Sequence, residues 1–426
     1  MRAAEGGRER RLRRAMSLFA FTDSEALELA GRSSLPCFAY RLDIARARYD
    51  ELRLALPSRS ILAYAVKANP GRELVAALAE RGASFDCASI GELELVRTEL
   101  ERFGGEIGSR VLFAGPGKSL EELRLALDMG ARIEADGIED LERIEALIAE
   151  RRFGATGPQA AAGGTPPLAL SLRVHPASGV SEGSAIIGGS GPSAFGVDEE
   201  ELPAFLAKAA GLRLVRITGL QVFAASNERS AERLLANHRA AFAIGERLQR
   251  ETGAPLDLID LGGGLGIPYS EGEAGLDLAA LGAGLVRLLD DNPWFSGRIV
   301  LEPGRWIAGP CGAYLVRVVR TKRSRGLDFA ILEGGINHLL RPLLTGQGFP
   351  VRAPDRCWGE GRGESVATTL AGPLCTSLDR LGEARLPPLK AGDVLMFGQA
   401  GAYGATEAMS DFLSHPRAAE YWLDAR

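Results

Sequence analysis

"ILAYAVKANP", residues 61–70, carries six apolar or aromatic residues straight into Lys67 and breaks two residues later at Asn69-Pro70. No polar alternation interrupts the run, so it reads as a buried strand. Proline disfavours α geometry in the residue before it and turns the chain away just after the lysine. Similar short runs recur at 84–88 (SFDCA), 110–115 (RVLFAG), 132–136 (RIEAD), 168–174 (LALSLRV), 216–223 (RITGLQVF), 256–262 (LDLIDLG) and 298–304 (RIVLEPG). Between them lie helical patterns such as RELVAALAERG and KSLEELRLALDMG, with apolar residues at i, i+3 and i+4 and glycine at the end. Eight strands alternating with helices predict a (β/α)8 TIM barrel. A doubly wound open sheet gives the same alternation. The strand ends favour the barrel, because Lys67, Asp86, Asp136, Arg173 with His175, Ser226, Gly262 to Gly264, and Glu302 with Arg305 collect where barrel enzymes keep their chemistry.

Past residue 306 the pattern becomes CGAYLVRVVRTKR, LDFAILEGG, ESVATTLAG and GDVLMFGQAG, strands without long helices, which predicts a C-terminal β-rich domain. The expected division is a mobile tail at 1–15, a segment at 16–41 lending the strand PCFAYRL to the β domain, a barrel at 42–306 and the β domain at 307–426. A Gly-, Ala- and Pro-rich insertion at 153–167 reads as a loop. The chain of 426 residues has a formal net charge of -5 and no basic stripe in its body, which argues against nucleic acid as a partner. Five scattered cysteines and four separated histidines suit neither a disulfide framework nor a metal site. With no apolar run of about 18 residues, the expectation is a cytoplasmic protein without a membrane span.

Lys67 alone has two readings: a side chain snorkelling to solvent, or a desolvated amine able to react with a carbonyl. The glycines of "LGGGLG" (261–266) suit a phosphate, although a glycine run is more often a turn. In "LEPGRW" (301–306) a surface ion pair competes with a functional pair. An amine, an anion cradle and a carboxylate at neighbouring strand ends are together what pyridoxal phosphate requires.

On the motifs YAVKANP, FDCASIGELE, GPSAFGVD, LDLIDLGGGLGIPY, LEPGRW, EGGINHLLRP, AGPLCTSLD, GAYG and SHPRAAE, the chain resembles the fold-type III pyridoxal-phosphate decarboxylases of ornithine, arginine and diaminopimelate, from about residue 35 onward. The resemblance implies an alanine-racemase-like barrel, pyridoxal 5'-phosphate as cofactor, and Lys67 as the Schiff-base lysine. It implies Glu302 at the pyridine nitrogen and Gly262, Gly263, Gly264, Ser226, Arg305 and Tyr403 around the phosphate. Asp86 and Phe223 fall at the cofactor. Cys375 becomes the acid near the substrate carbon, with Thr376, Arg341 and Tyr403 beside the substrate. It further implies a homodimer with composite active sites, the GPLCTSLD loop entering from the partner subunit, and no metal.

Several positions depart from the family. Phe223 stands where many relatives have histidine; it can stack but cannot exchange a proton. Thr376 stands where relatives acting on free diamino acids commonly have a carboxylate for the distal ammonium, so free ornithine, lysine or diaminopimelate is disfavoured. Ala194 replaces a frequent lysine. FAGPGKS, GPLCTSLD and FLSHPRAAE look most like a subgroup beside exosortase systems and in antibiotic pathways, where some members act on an aminoacyl group tethered to a carrier protein. The expected reaction is decarboxylation of an amino acid or such a tethered group; the alternatives are a decarboxylase of free diamino acids, a racemase, or an inactive regulatory homologue. Retention of Lys67, Glu302 and Cys375 speaks against the last, and Glu302 against a racemase.

Overall fold

The computed structural model describes residues 17–104, 106–153, 166–177, 192–223, 225–354 and 365–424. The expected tail at 1–15 and most of the 153–167 insertion lie outside them. The chain divides into two compact units: one comprises 52–265 and 276–303, the other 266–275, 304–426 and the chain up to 51. The alternating region expected at 42–306 thus contributes 42–51, 266–275 and 304–306 to the second unit.

After β1 (Cys37–Arg41), the first unit contains β2 (Ser60–Ala65), β3 (Ser84–Cys87), β4 (Val111–Phe113), β5 (Arg132–Ala135), β6 (Leu168–His175), β7 (Val197–Asp198), β8 (Val215–Gln221), β9 (Leu258–Asp260) and β10 (Arg298–Leu301). Hydrogen bonding runs β5-β4-β3-β2-β10-β9-β8-β6, β5 pairs with β6 to close the ring, and β7 adds to β6. All of these pairings are parallel. This closed eight-stranded sheet is the expected TIM barrel. β3 and β4 are buried throughout, because helices cover the outer face of a barrel and side chains fill the inner one.

Local signals set the helix limits. Ser119 and Glu122 form a capping box at the start of Leu120–Met129, and Gly130 ends that helix at φ 70°. The Ser230 hydroxyl accepts from the Arg233 amide at the start of Ala231–Thr252 and Gly253 ends that helix at φ 65°, while Asp277 caps Leu278–Asp290. No helix among the described residues is long and apolar enough to cross a membrane.

The second unit holds β11 (Gly312–Ser324), β12 (Leu327–Leu332), β13 (Val351–Arg352), β14 (Val366–Ala371), β15 (Arg380–Leu386), β16 (Val394–Phe397) and β17 (Ala419–Leu423), ordered β13-β16-β11-β12-β14-β15. β1 runs antiparallel to β11 and parallel to β17, with Ala39 opposite Ala313 and Tyr421. Aromatic contacts fix it there: Tyr40 stacks on Trp422 at 4.1 Å and Phe38 packs on Tyr314 at 4.8 Å between ring centroids.

Candidate active site

β2 delivers Lys67 through a single tight turn, Val66–Ala68. The Asn69 amide donates to the Val66 carbonyl at 3.0 Å, the Tyr64 hydroxyl donates to the Asn69 carbonyl at 3.0 Å, and the Asn69 side-chain oxygen accepts from the Gly71 amide at 2.9 Å. The break seen at Asn69-Pro70 is therefore a pinned corner. Register pairs Ala65 with Asp86, so Asp86 on β3 stands level with the end of β2. Lys67 Nζ donates to Asp86 Oδ2 at 2.7 Å, from a side chain 40% exposed to one only 1% exposed. Asp86 is thus a buried anchor under an amine that still reaches solvent.

The barrel interior holds a layer of further polar groups. Register aligns Arg173 of β6 with Gln221 of β8, and Gln221 with Asp260 of β9. Glu134 lies within β5, and Glu302 follows β10 directly. Exposure is 0% for Glu134, 0% for Asp260 and 4% for Glu302, and one carboxylate oxygen of each lies within 4.8 Å of the others. Burial, reinforced by Asp86, pushes the Glu302 carboxyl up to about 7, while Lys67 and Arg173 oppose the shift. Burial and Glu302 hold the carboxyls of both Glu134 and Asp260 well above the usual range. Glu302 Oε1 has no hydrogen-bond partner, nor has either oxygen of Glu134.

The glycines after β9 form a fixed cradle. Gly262 and Gly264 take φ values of 70° and 93°. Asp260 Oδ1 accepts from the Gly262 amide at 2.8 Å, and the Gly262 carbonyl accepts from the Glu302 amide at 2.9 Å. A Cβ on Gly263 would come within 2.8 Å of the Glu302 carbonyl oxygen, and one on Gly264 within 2.6 Å of the Ala225 carbonyl oxygen. The glycine run is therefore more than a turn: backbone passes where no side chain fits. Phe223 packs on it, its Cδ2 3.1 Å from a Cβ built on Gly262. Ser226 lies half-buried on the loop that follows β8.

The second unit has its own cluster. Arg305 donates to the Tyr269 hydroxyl at 2.6 Å and lies over the Tyr403 ring at 4.9 Å. Arg341 covers the same ring at 4.6 Å and pairs with Glu407 at 2.7 Å. Tyr403 itself sits at φ 57°. Cys375 and the half-buried Thr376 lie on the loop between β14 and β15, where the thiol is exposed. The loop is held by buried Asp379, which accepts from the Ile336 and Leu374 amides at 2.8 and 2.7 Å.

Residues 42–309 match the pyridoxal binding domain of the pyridoxal-dependent decarboxylases. The chain belongs to this family. The decarboxylase is 31% identical over 405 residues to the diaminopimelate decarboxylase of Methanothermobacter thermautotrophicus, covering 93% of this chain and 88% of the relative. It is 27% identical over 402 residues to the L-glutamyl-[BtrI acyl-carrier protein] decarboxylase of Niallia circulans, covering 92% and 90%. Among solved structures, diaminopimelate decarboxylase from Helicobacter pylori complexed with L-lysine matches with a TM-score of 0.79 and 26% identity over 93% of each chain. The decarboxylase is accordingly a pyridoxal-phosphate-dependent amino-acid carboxy-lyase. Its own residues fit that cofactor: an orphaned buried carboxylate oxygen on Glu302, an amine at the strand end, and a cradle that a Cβ would fill.

In the decarboxylase the barrel unit brings together Lys67, Asp86, Phe223, Gly262 to Gly264 and Glu302, while Arg305, Arg341, Tyr403 and the Cys375–Thr376 pair belong to the second unit. Sequence reading passed over Glu134 and Asp260. A glutamate inside the buried run RIEAD is a signal in its own right, since a charged residue is rarely placed in a barrel core without a partner. Glu92 is a further half-buried carboxylate that no motif singles out. It accepts from the Ala88 amide at 2.8 Å, and burial pushes its carboxyl up to about 7.

Proposed function

We propose that this decarboxylase acts on an aminoacyl group whose far end carries no free ammonium, a group tethered to a carrier protein being the best fit. The observation that carries this reading is the composition of the loop 372–379. Its second residue after Leu374 is Thr376, whose hydroxyl accepts from the Leu378 amide at 3.2 Å. The one acid in the loop, Asp379, is turned inward onto two backbone amides. The loop therefore offers no carboxylate to a substrate ammonium, which would lose its counter-charge on leaving water. The carrier-protein substrate in the name of the Niallia circulans relative supports the same reading.

Pyridoxal phosphate, when bound, supplies an electron sink that weakens the bond to the substrate's α-carboxylate. Lys67 is the amine that would hold the cofactor and release it to a substrate amine. Asp86, buried against Lys67 and bonded to its Nζ, would fix where that amine stands. Glu302 would stand at the ring nitrogen and keep it protonated; Phe223 would cover a ring face without exchanging a proton. Gly262 to Gly264 and Ser226 would hold the phosphate, and Arg305, Tyr403 and Arg341 are assigned to phosphate and substrate by the family resemblance. Cys375 of the partner subunit returns a proton to the carbon that lost CO2.

The test is a CO2-release screen over free amino acids and carrier-bound aminoacyl thioesters, with Lys67→Ala as the blank. Release from thioesters with little from free diaminopimelate, ornithine or lysine is the expected outcome. Efficient turnover of free diamino acids with none from thioesters sinks the reading in favour of the activity named for the diaminopimelate decarboxylase relatives.

A further inference from the structure

Three carboxylates with oxygens within 4.8 Å of one another, all buried in one barrel, cannot all carry charge. Their surroundings differ. Asp260 Oδ1 is engaged by the Gly262 amide, and Glu302 follows β10, where it borders the glycine cradle through its own backbone. Glu134 has no such engagement: it is fully buried inside β5, and both its oxygens lack a hydrogen-bond partner. Gln221 Oε1, on β8 of the same barrel, is likewise buried and unpartnered. The charged and titratable groups that face Glu134 are Glu302, Asp260, Asp86 of β3, Arg173 of β6 and Lys118. The two cations have other obligations. Lys118 Nζ is bound at 2.8 and 3.0 Å by Asp136 and Asp140, and Arg173 lies over the Phe195 ring and within 4.0 Å of Asp136.

We infer that Glu134 is a positioning residue for Glu302: it stands in the barrel as a neutral, proton-bearing acid, so that the negative charge of the cluster rests on Glu302. This inference rests on the reading of Glu302 as the partner of the ring nitrogen. A neutral Glu134 leaves Glu302 free to ionise opposite a pyridinium; an ionised Glu134 at this distance would hold Glu302 protonated and remove the charge that keeps the ring nitrogen protonated. Burial, reinforced by Glu302, acts on Glu134 in the sense required.

The sign of a substitution separates the two cases. Glu134→Gln exchanges a neutral acid for a neutral amide of the same shape, so the pH titration of the holoenzyme's visible cofactor absorption should stay where the wild type has it. If Glu134 is ionised, the same substitution removes a charge, lets Glu302 ionise more readily and displaces that titration by a unit or more; that result overturns the inference. Infrared spectra of the wild-type protein, which need no variant to fold, provide the second measurement. A protonated-carboxyl band should persist through pH 8 and weaken in Glu134→Gln. Its absence from the wild type, or its loss on adding Mg2+ or K+ because a cation takes the proton's place, overturns the inference equally. Glu302→Gln isolates the reading beneath: an unchanged cofactor spectrum and unchanged CO2 release there would sink the assignment of Glu302, while the Glu134 band would still stand.

Discussion

At the scale of single residues, the glycine cradle gives the sharpest expectation. Gly264 combines φ 93° with a Cβ position 2.6 Å from the Ala225 carbonyl oxygen, whereas Gly272 has φ 85° and open space around it. Alanine at either site carries a left-handed backbone cost of about 1–3 kcal/mol; only at Gly264 must the neighbouring backbone also move. Gly264→Ala should therefore melt below Gly272→Ala and lose cofactor affinity, while Gly272→Ala keeps it; calorimetry with an absorption titration of the cofactor reads both. Single residues were also where sequence reading was most uneven. Lys67, Asp86 and Glu302 stood out because they end apolar runs at the barrel mouth. Glu134 and Asp260 did not, because whether a residue inside a short strand faces the barrel axis depends on register with strands far away in the chain.

The loop between β14 and β15 shows what an element adds. Asp379 accepts two buried backbone amides, and Gly335 and Gly372 pack on its carboxylate so tightly that a Cβ on either would collide with it. Asp379→Asn replaces one accepting oxygen by an NH2 that confronts a backbone N–H. The expected cost is about 1.5–3 kcal/mol, read by denaturant unfolding. CO2 release should fall with it, because the same residue shapes the turn that carries Cys375, while cofactor absorption stays. At this scale the sequence was most legible: every apolar run expected as a barrel strand contains one, since short runs buried on both faces leave few other solutions. What periodicity missed was length, β9 spanning three residues and β4 three, because hydrogen-bond pairing rather than hydrophobicity ends a strand.

For the whole molecule, the expectation of composite sites in a homodimer has a direct test. Mixing Lys67→Ala and Cys375→Ala chains with random subunit exchange makes about half the dimers mixed, and each mixed dimer carries one site with both residues native, so about a quarter of wild-type activity should return. No recovery on proven exchange sinks the shared-site arrangement. The division of the chain was less visible in sequence than its alternation, since 266–275 groups with the second unit through long-range contacts that leave no local trace. The corner that carries Lys67 has one more consequence, and it is analytical. The chain has only five lysines, Lys67, Lys118, Lys208, Lys322 and Lys390, against many arginines. Trypsin cuts after Arg59, Lys67 and Arg72; once borohydride has fixed an aldehyde on Lys67, the middle cut fails and residues 60–72 leave as one heavier, coloured or fluorescent peptide. A single digest thus turns the peptide around Lys67 into a mass label for whatever carbonyl compound the protein has taken up.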